Sequence, residues 1–158
     1  MRVRFTDTEA DGFESPKGKF GVEYRDYVDC EDTGCPFDLQ HVTLKAGKRN
    51  FPFHSHASLW ELYYVVSGTA TMRTDEENTQ IKAGDSYLCR PGLAHQIINE
   101  SQEDFVYLVM SNDPPHDACY YPDSGKMAPG ARKMWTPMPE GSRFWQPLEG
   151  AEYFTGEE

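Results

Sequence analysis

Apolar and polar residues alternate along this chain in short stretches, and the alternation restarts after almost every turn signal. Over 20–27 and again over 37–44, large apolar side chains tend to recur at every second position, the period of a half-buried strand. Strand-like runs return at 60–67, 69–74, 79–82, 86–90, 95–99 and 105–110. Between them lie Ala46-Gly47, Gly68, the charged tip Asp75-Glu76-Glu77-Asn78, Gly84 and Pro91-Gly92, all of which favour turns. Helical periodicity is almost absent and no internal repeat is visible. Many short strands punctuated in this way predict an all-β barrel or sandwich.

The strand over 60–67 makes a sharper prediction. If Glu61 faces inward, Tyr63 and Val65 do too, which turns Trp60, Leu62, Tyr64 and Val66 outward. A free sheet face normally carries polar residues. Four large apolar side chains therefore predict a cover, either a second copy in a homodimer or the chain's own terminal segment. Residues 1–19 are polar and punctuated by Gly and Pro, and read as an N-terminal arm. Residues 20–128 form the barrel domain. Residues 129–158 combine Pro137, Pro139 and Pro147 with Trp135, Phe144, Trp145, Tyr153 and Phe154, and read as an extension packed on the barrel or on a partner subunit.

At 158 residues the chain is long enough for one domain with a substantial core. Its net charge of −11 argues against a nucleic-acid partner, which calls for clustered positive charge. No run of about eighteen apolar residues is present, so no membrane-spanning helix is expected. The start, Met1-Arg2-Val3-Arg4-Phe5-Thr6-Asp7, lacks the apolar stretch of a signal peptide. A cytoplasmic setting follows. Cys30, Cys35, Cys89 and Cys119 form no Cys-x-x-Cys pair and are expected to be free thiols, with Cys89 in the core.

Chemistry concentrates in two glycine-bounded blocks, which hold three of the five histidines. The first runs from Gly47 through Phe53-His54-Ser55-His56 to Glu61 and Gly68; the second runs from Gly84 through Pro91-Gly92-Leu93-Ala94-His95 to Asn99. On a strand, His54 and His56 share a face and sit roughly 6.6–6.8 Å apart along the chain. Glu61 lies an odd number of positions beyond His56, so Ala57-Ser58-Leu59 must contain a turn or bulge that resets the phase. His95 arrives from a separate strand. Three imidazoles and a carboxylate suit a divalent ion, with zinc, iron, manganese and nickel all admissible. Such a site keeps a formal charge of about +1, and a six-coordinate ion would have two positions open to a small-molecule ligand.

These blocks resemble the paired motifs of the cupin superfamily. The first has the glycine, His-x-His, the glutamate after four intervening residues and the glycine after six more, although Gly47 precedes His54 by one residue more than is usual. The second keeps Gly84, Gly92, His95 and Asn99 in register, but Arg90 stands where the family has proline. Tyr121-Pro122-Asp123-Ser124-Gly125-Lys126 resembles a stretch of small bacterial single-domain cupins, some of them sugar-phosphate-isomerase-like. The resemblance implies a double-stranded β-helix, or jelly-roll, barrel that is often dimeric, with His54, His56, Glu61 and His95 as the metal ligands. It leaves the chemistry open, because the superfamily includes isomerases, dioxygenases, decarboxylases and non-catalytic binding or sensor proteins.

Around that site, Tyr63 is expected to face the cavity and, with Glu61, to serve an isomerase-type reaction by moving a proton. Asn99 is expected to hydrogen-bond near the site. Arg90, Arg49 and Lys45 read as surface ion-pair residues, His41 as an ordinary strand residue and His116 as an exposed loop residue. Lys126 is a weak candidate for a phosphate contact.

Overall fold

The alternation seen in the sequence becomes a set of antiparallel strands in the computed structural model. The structure describes residues 2–114 and 116–130 together with Phe154, Gly156 and Glu157. A 3-10 turn at Phe5–Asp7 precedes β1 (Asp11–Glu14), β2 (Gly21–Val28), a short helix α1 (Cys30–Thr33) and β3 (Asp38–Leu44). Then come β4 (Ser55–His56), β5 (Glu61–Ser67), β6 (Thr69–Thr74), β7 (Asn78–Lys82) and β8 (Ser86–Cys89). The last are β9 (His95–Ile98), β10 (Phe105–Ser111), β11 (Asp117–Tyr121) and β12 (Lys126–Gly130). One sheet has the order β1-β2-β3-β10-β5-β8; two smaller ones have the orders β12-β11-β4 and β7-β6-β9.

The apolar positions close on a shared interior. Val42 and Leu44 of β3, Tyr63 and Val65 of β5, Ala70 and Met72 of β6 and Phe105 and Tyr107 of β10 are buried together with Ile81, Cys89 and Ile97. On β5 the outward set stays exposed: Trp60 just before the strand, then Leu62, Tyr64 and Val66, are 41–46 % accessible. Register extends this face sideways, because Leu62 stands opposite Met110 of β10 and opposite Leu88 of β8, both also exposed. Gly68 carries the chain from the six-stranded sheet into β6 at φ +82°, and a Cβ there would lie 2.7 Å from Asp104 O.

Four elements go beyond the strands read from the sequence. β1 lies inside the segment read as an arm and pairs with β2 from Asp11↔Tyr24 to Glu14↔Gly21. β11 and β12 form a hairpin after Pro114, and β11 also pairs with β4. The helix α1 is a single turn, capped by Asp29 accepting from Glu31 N and ended by Gly34 in the left-handed region. Of the carboxy-terminal aromatic cluster only Phe154 is described; it stacks on Phe20, with ring centroids 5.4 Å apart. The other aromatic and proline residues of 129–158 discussed above lie outside the described residues, apart from the backbone of Pro129. Among the described residues, no helix is long and apolar enough to cross a membrane.

Candidate metal centre

Backbone pairing brings His54, His56, Glu61 and His95 together from separate parts of the fold. The segment leading to β4 runs antiparallel to β9: Asn50 N donates to Ile97 O at 3.0 Å, and His54 and His95 exchange both backbone hydrogen bonds, at 3.3 and 2.8 Å. That bridge sets the two imidazoles side by side, with ring centroids 4.7 Å apart. His56 follows two residues later on the same face, and its Nε2 is 3.2 Å from His54 Nε2. A bend at Ala57 and Ser58 then resets the phase, so that β5 opens with Glu61 facing the same space. Glu61 Oε2 is 2.7 Å from His95 Nε2 and 3.6 Å from His56 Nε2.

The outer nitrogen of each ring is committed to an oxygen that can only accept. His54 Nδ1 donates to Pro52 O (2.8 Å), His95 Nδ1 to Leu93 O (3.0 Å) and His56 Nδ1 to the Asp117 carboxylate (2.5 Å). In the neutral rings this leaves every Nε2 as a lone pair aimed inward. Beside these lone pairs lies Glu61 Oε2, which is buried and takes no well-angled hydrogen bond among the described residues. His54, His56 and Glu61 each bring a ligand atom within 4.8 Å of the others, while His95 reaches this group through Glu61 Oε2; imidazoles and a buried carboxylate of this kind fit a divalent cation.

The charges agree with this geometry. Burial pushes the Glu61 carboxyl up, but the surrounding imidazoles, His95 foremost, outweigh it and hold the group down at about 2. His54 is pushed down to about 3 by burial and then by its neighbours His95 and His56, so it stays neutral. Burial also pulls His56 down, yet its bond to Asp117, helped by Cys119 and Glu61, raises it to about 10. Protons on His56, and on His95 whose pKa is likewise raised, balance the carboxylates when no cation does so. Tyr63 is pushed well above the ordinary phenol range by burial and by the Glu61 charge. Its hydroxyl lies 3.3 Å from His95 Nε2.

Asp117 is the functional residue that the sequence reading passed over. It accepts from His56 Nδ1 through one oxygen and from Ser58 N (2.8 Å) through the other, which fixes the bend after β4. Cys119, paired directly with His56 across β4 and β11, brings its Sγ to 3.4 Å from the same ring nitrogen. Asp117, Cys119 and Tyr121 keep the period-two spacing of a strand, a signal masked by the neighbouring prolines Pro114, Pro115 and Pro122.

The remaining candidates lie elsewhere. Asn99 is fully buried, but its amide donates to Leu44 O and Glu103 O and its carbonyl holds Ser101, so it staples the 99–103 turn rather than the site. Arg90 pairs with Glu76 and Lys45 with Asp104. His41 packs beside Phe5 and Tyr27, and His116 is exposed. Lys126 lies 3.6 Å from the buried carboxylate of Glu157.

Antiparallel strands enclosing His54 just before β4, His56 on β4, Glu61 on β5 and His95 on β9 have the arrangement of the cupin jelly-roll fold. The cupin domain family model matches residues 40–111. An uncharacterized protein of Methanocaldococcus jannaschii is 27 % identical over 81 residues, covering 51 % of this chain and 64 % of that protein, so the match spans less than two thirds of this relative. A cupin-superfamily sugar phosphate isomerase from Silicibacter pomeroyi superposes with a TM-score of 0.68 at 18 % identity, covering 84 % of this chain and 93 % of that one. A predicted oxalate decarboxylase from Thermotoga maritima gives 0.64 at 24 % identity, with 70 % and 97 % covered. At these identities the likeness carries the fold.

Proposed function

We propose that the chain binds one divalent metal ion through His54, His56, Glu61 and His95, and with it binds or transforms a small oxygen-bearing molecule. The observation that carries this reading is the set of three imidazoles whose Nδ1–H groups are all tied back to oxygens, with His54, His56 and Glu61 bringing ligand atoms within 4.8 Å of one another and His95 Nε2 meeting the same carboxylate. The ion would polarise a ligand oxygen as a Lewis acid. Glu61 supplies the negative charge at the site. Asp117 holds the His56 ring in the orientation and tautomer that aims Nε2 inward. Tyr63, kept protonated by burial and by Glu61, offers a hydroxyl that can donate to a developing oxyanion, the role an isomerase-type proton transfer requires.

The test is elemental analysis of protein purified without added metal, together with two variants. Wild type is expected to carry close to one ion per chain. His56→Ala is expected to lose it, whereas Asp117→Asn weakens metal affinity roughly 10–100-fold in competition with a chromophoric chelator. Full occupancy in His56→Ala would remove that residue from the ligand set, and an unchanged affinity in Asp117→Asn would remove its positioning role.

The chain is also proposed to form a homodimer through the exposed apolar face of β5, β8 and β10, because a row of large side chains there has no cover among the described residues. A cytoplasmic location is supported by four free cysteines. Recovery of the native protein only from an extracytoplasmic fraction would overturn it.

A further inference from the structure

The metal site opens onto a cavity of about 260 Å³, slightly below the roughly 300–1,000 Å³ of ordinary small-molecule pockets. Beyond the site itself, the walls are mainly Val22, Val42 and Val109 with the rings of Phe51 and Tyr121. Among the described residues, no lysine or arginine lines this space. Two polar groups of the wall are already turned toward acids: the Tyr24 hydroxyl donates to Asp11 Oδ2 (3.1 Å) and Gln40 Nε2 donates to Asp26 Oδ1 (2.7 Å). Several cations of the chain are engaged away from the cavity, Lys45 with Asp104, Arg73 with Asp123 and Arg90 with Glu76.

This wall is a poor host for a phosphate. A dianion entering it loses hydration, finds no guanidinium or ammonium in return, and has carboxylates behind the nearest donors. The metal end differs. An ion held by three neutral imidazoles and one carboxylate keeps a formal charge of about +1, enough for one anionic chelating group. We propose that the ligand is a small carboxylate that chelates through adjacent oxygens, as a 2-oxo acid does, and carries an uncharged, branched or aromatic body against the valine and aromatic wall. A sugar phosphate does not have this form. The inference rests on the metal reading above and names its ligand class.

The experiment is calorimetric titration of the full chain loaded with manganese, its metal stoichiometry measured first. The probes are pyruvate, 4-methyl-2-oxopentanoate, phenylpyruvate, glucose 6-phosphate and inorganic phosphate. Burial of each added methylene is worth about fourfold in affinity, so 4-methyl-2-oxopentanoate is expected to bind at least tenfold tighter than pyruvate and tighter than either phosphate probe. Val109→Ala is expected to narrow the gap between the branched acid and pyruvate severalfold, and Val109→Thr, which keeps the side-chain shape, to narrow it in the same direction. Glucose 6-phosphate binding as tightly as the branched acid, no dependence on the size of the body, or no binding of any 2-oxo acid to manganese-loaded protein overturns the ligand class and leaves the metal reading standing. Failure to take up the metal overturns both.

Discussion

His56 shows how one side chain can tie two parts of a fold to one chemistry. Its inner nitrogen meets His54 while its outer nitrogen is gripped by Asp117, so the ring has little freedom to turn. Cys30 shows the opposite use of carboxylates. Burial, followed by hydrogen bonding to Asp113 and Asp38, lifts its thiol to about 11. The thiolate, which is the nucleophile, is therefore scarce at neutral pH. Alkylation by iodoacetamide is expected to be slower at Cys30 than for a free thiol at pH 8, and to accelerate as pH rises toward 11. Asp113→Asn is expected to speed the reaction at pH 8. Peptide mass spectrometry of timed samples checks this, and equal rates for Cys30 and a model thiol would refute the shift.

At the scale of elements, Gly68 is the hinge between the six-stranded sheet and β6. A left-handed backbone combined with 2.7 Å from a would-be Cβ to Asp104 O leaves no room for a side chain. Gly68→Ala is expected to cost about 2 kcal/mol or more, read as a lower urea midpoint with unchanged slope; a midpoint within error of wild type would contradict it. The sheet strands were legible in the sequence where one face is buried. β3, β5 and β6 announce themselves because Val42, Leu44, Tyr63, Val65, Ala70 and Met72 repeat every second residue. β1 was not legible, since three of its four residues are exposed and leave no apolar alternation to read. β11 was hidden by the prolines on either side, and with it went Asp117. The four ligand candidates could be read because histidine spacing survives without knowledge of the long-range pairing. The partner of His56, 61 residues away, could not.

At the scale of the whole molecule, the row Met110–Leu62–Leu88, flanked by Trp60, Tyr64 and Val66, is an exposed apolar face. A homodimer through this face predicts a sedimentation mass near twice the chain's 18.0 kDa at micromolar concentration. Leu62→Arg, placing a charge at the middle of the row, is expected to weaken the dimer at least tenfold while leaving the β-sheet circular dichroism in place. A wild-type monomer at that concentration would remove the proposal. Charge frames the same molecule differently: a net −11 disfavours polyanionic partners, in keeping with a cavity wall that holds no lysine or arginine among the described residues.

His56 rides on a strand of two residues, and that brevity makes the neighbourhood soft. β4 is tied to β11 over two positions, Ala57 N donates to Ala118 O, and Gly92 N donates to His56 O. Such a patch can open without the rest of the barrel, at a fraction of the global cost. A cation clasped between β4, β5 and β9 would stiffen it. Deuterium uptake at the Ala57 and Gly92 amides therefore acts as a local clock for occupancy, and it registers a departing ion long before the melting temperature does.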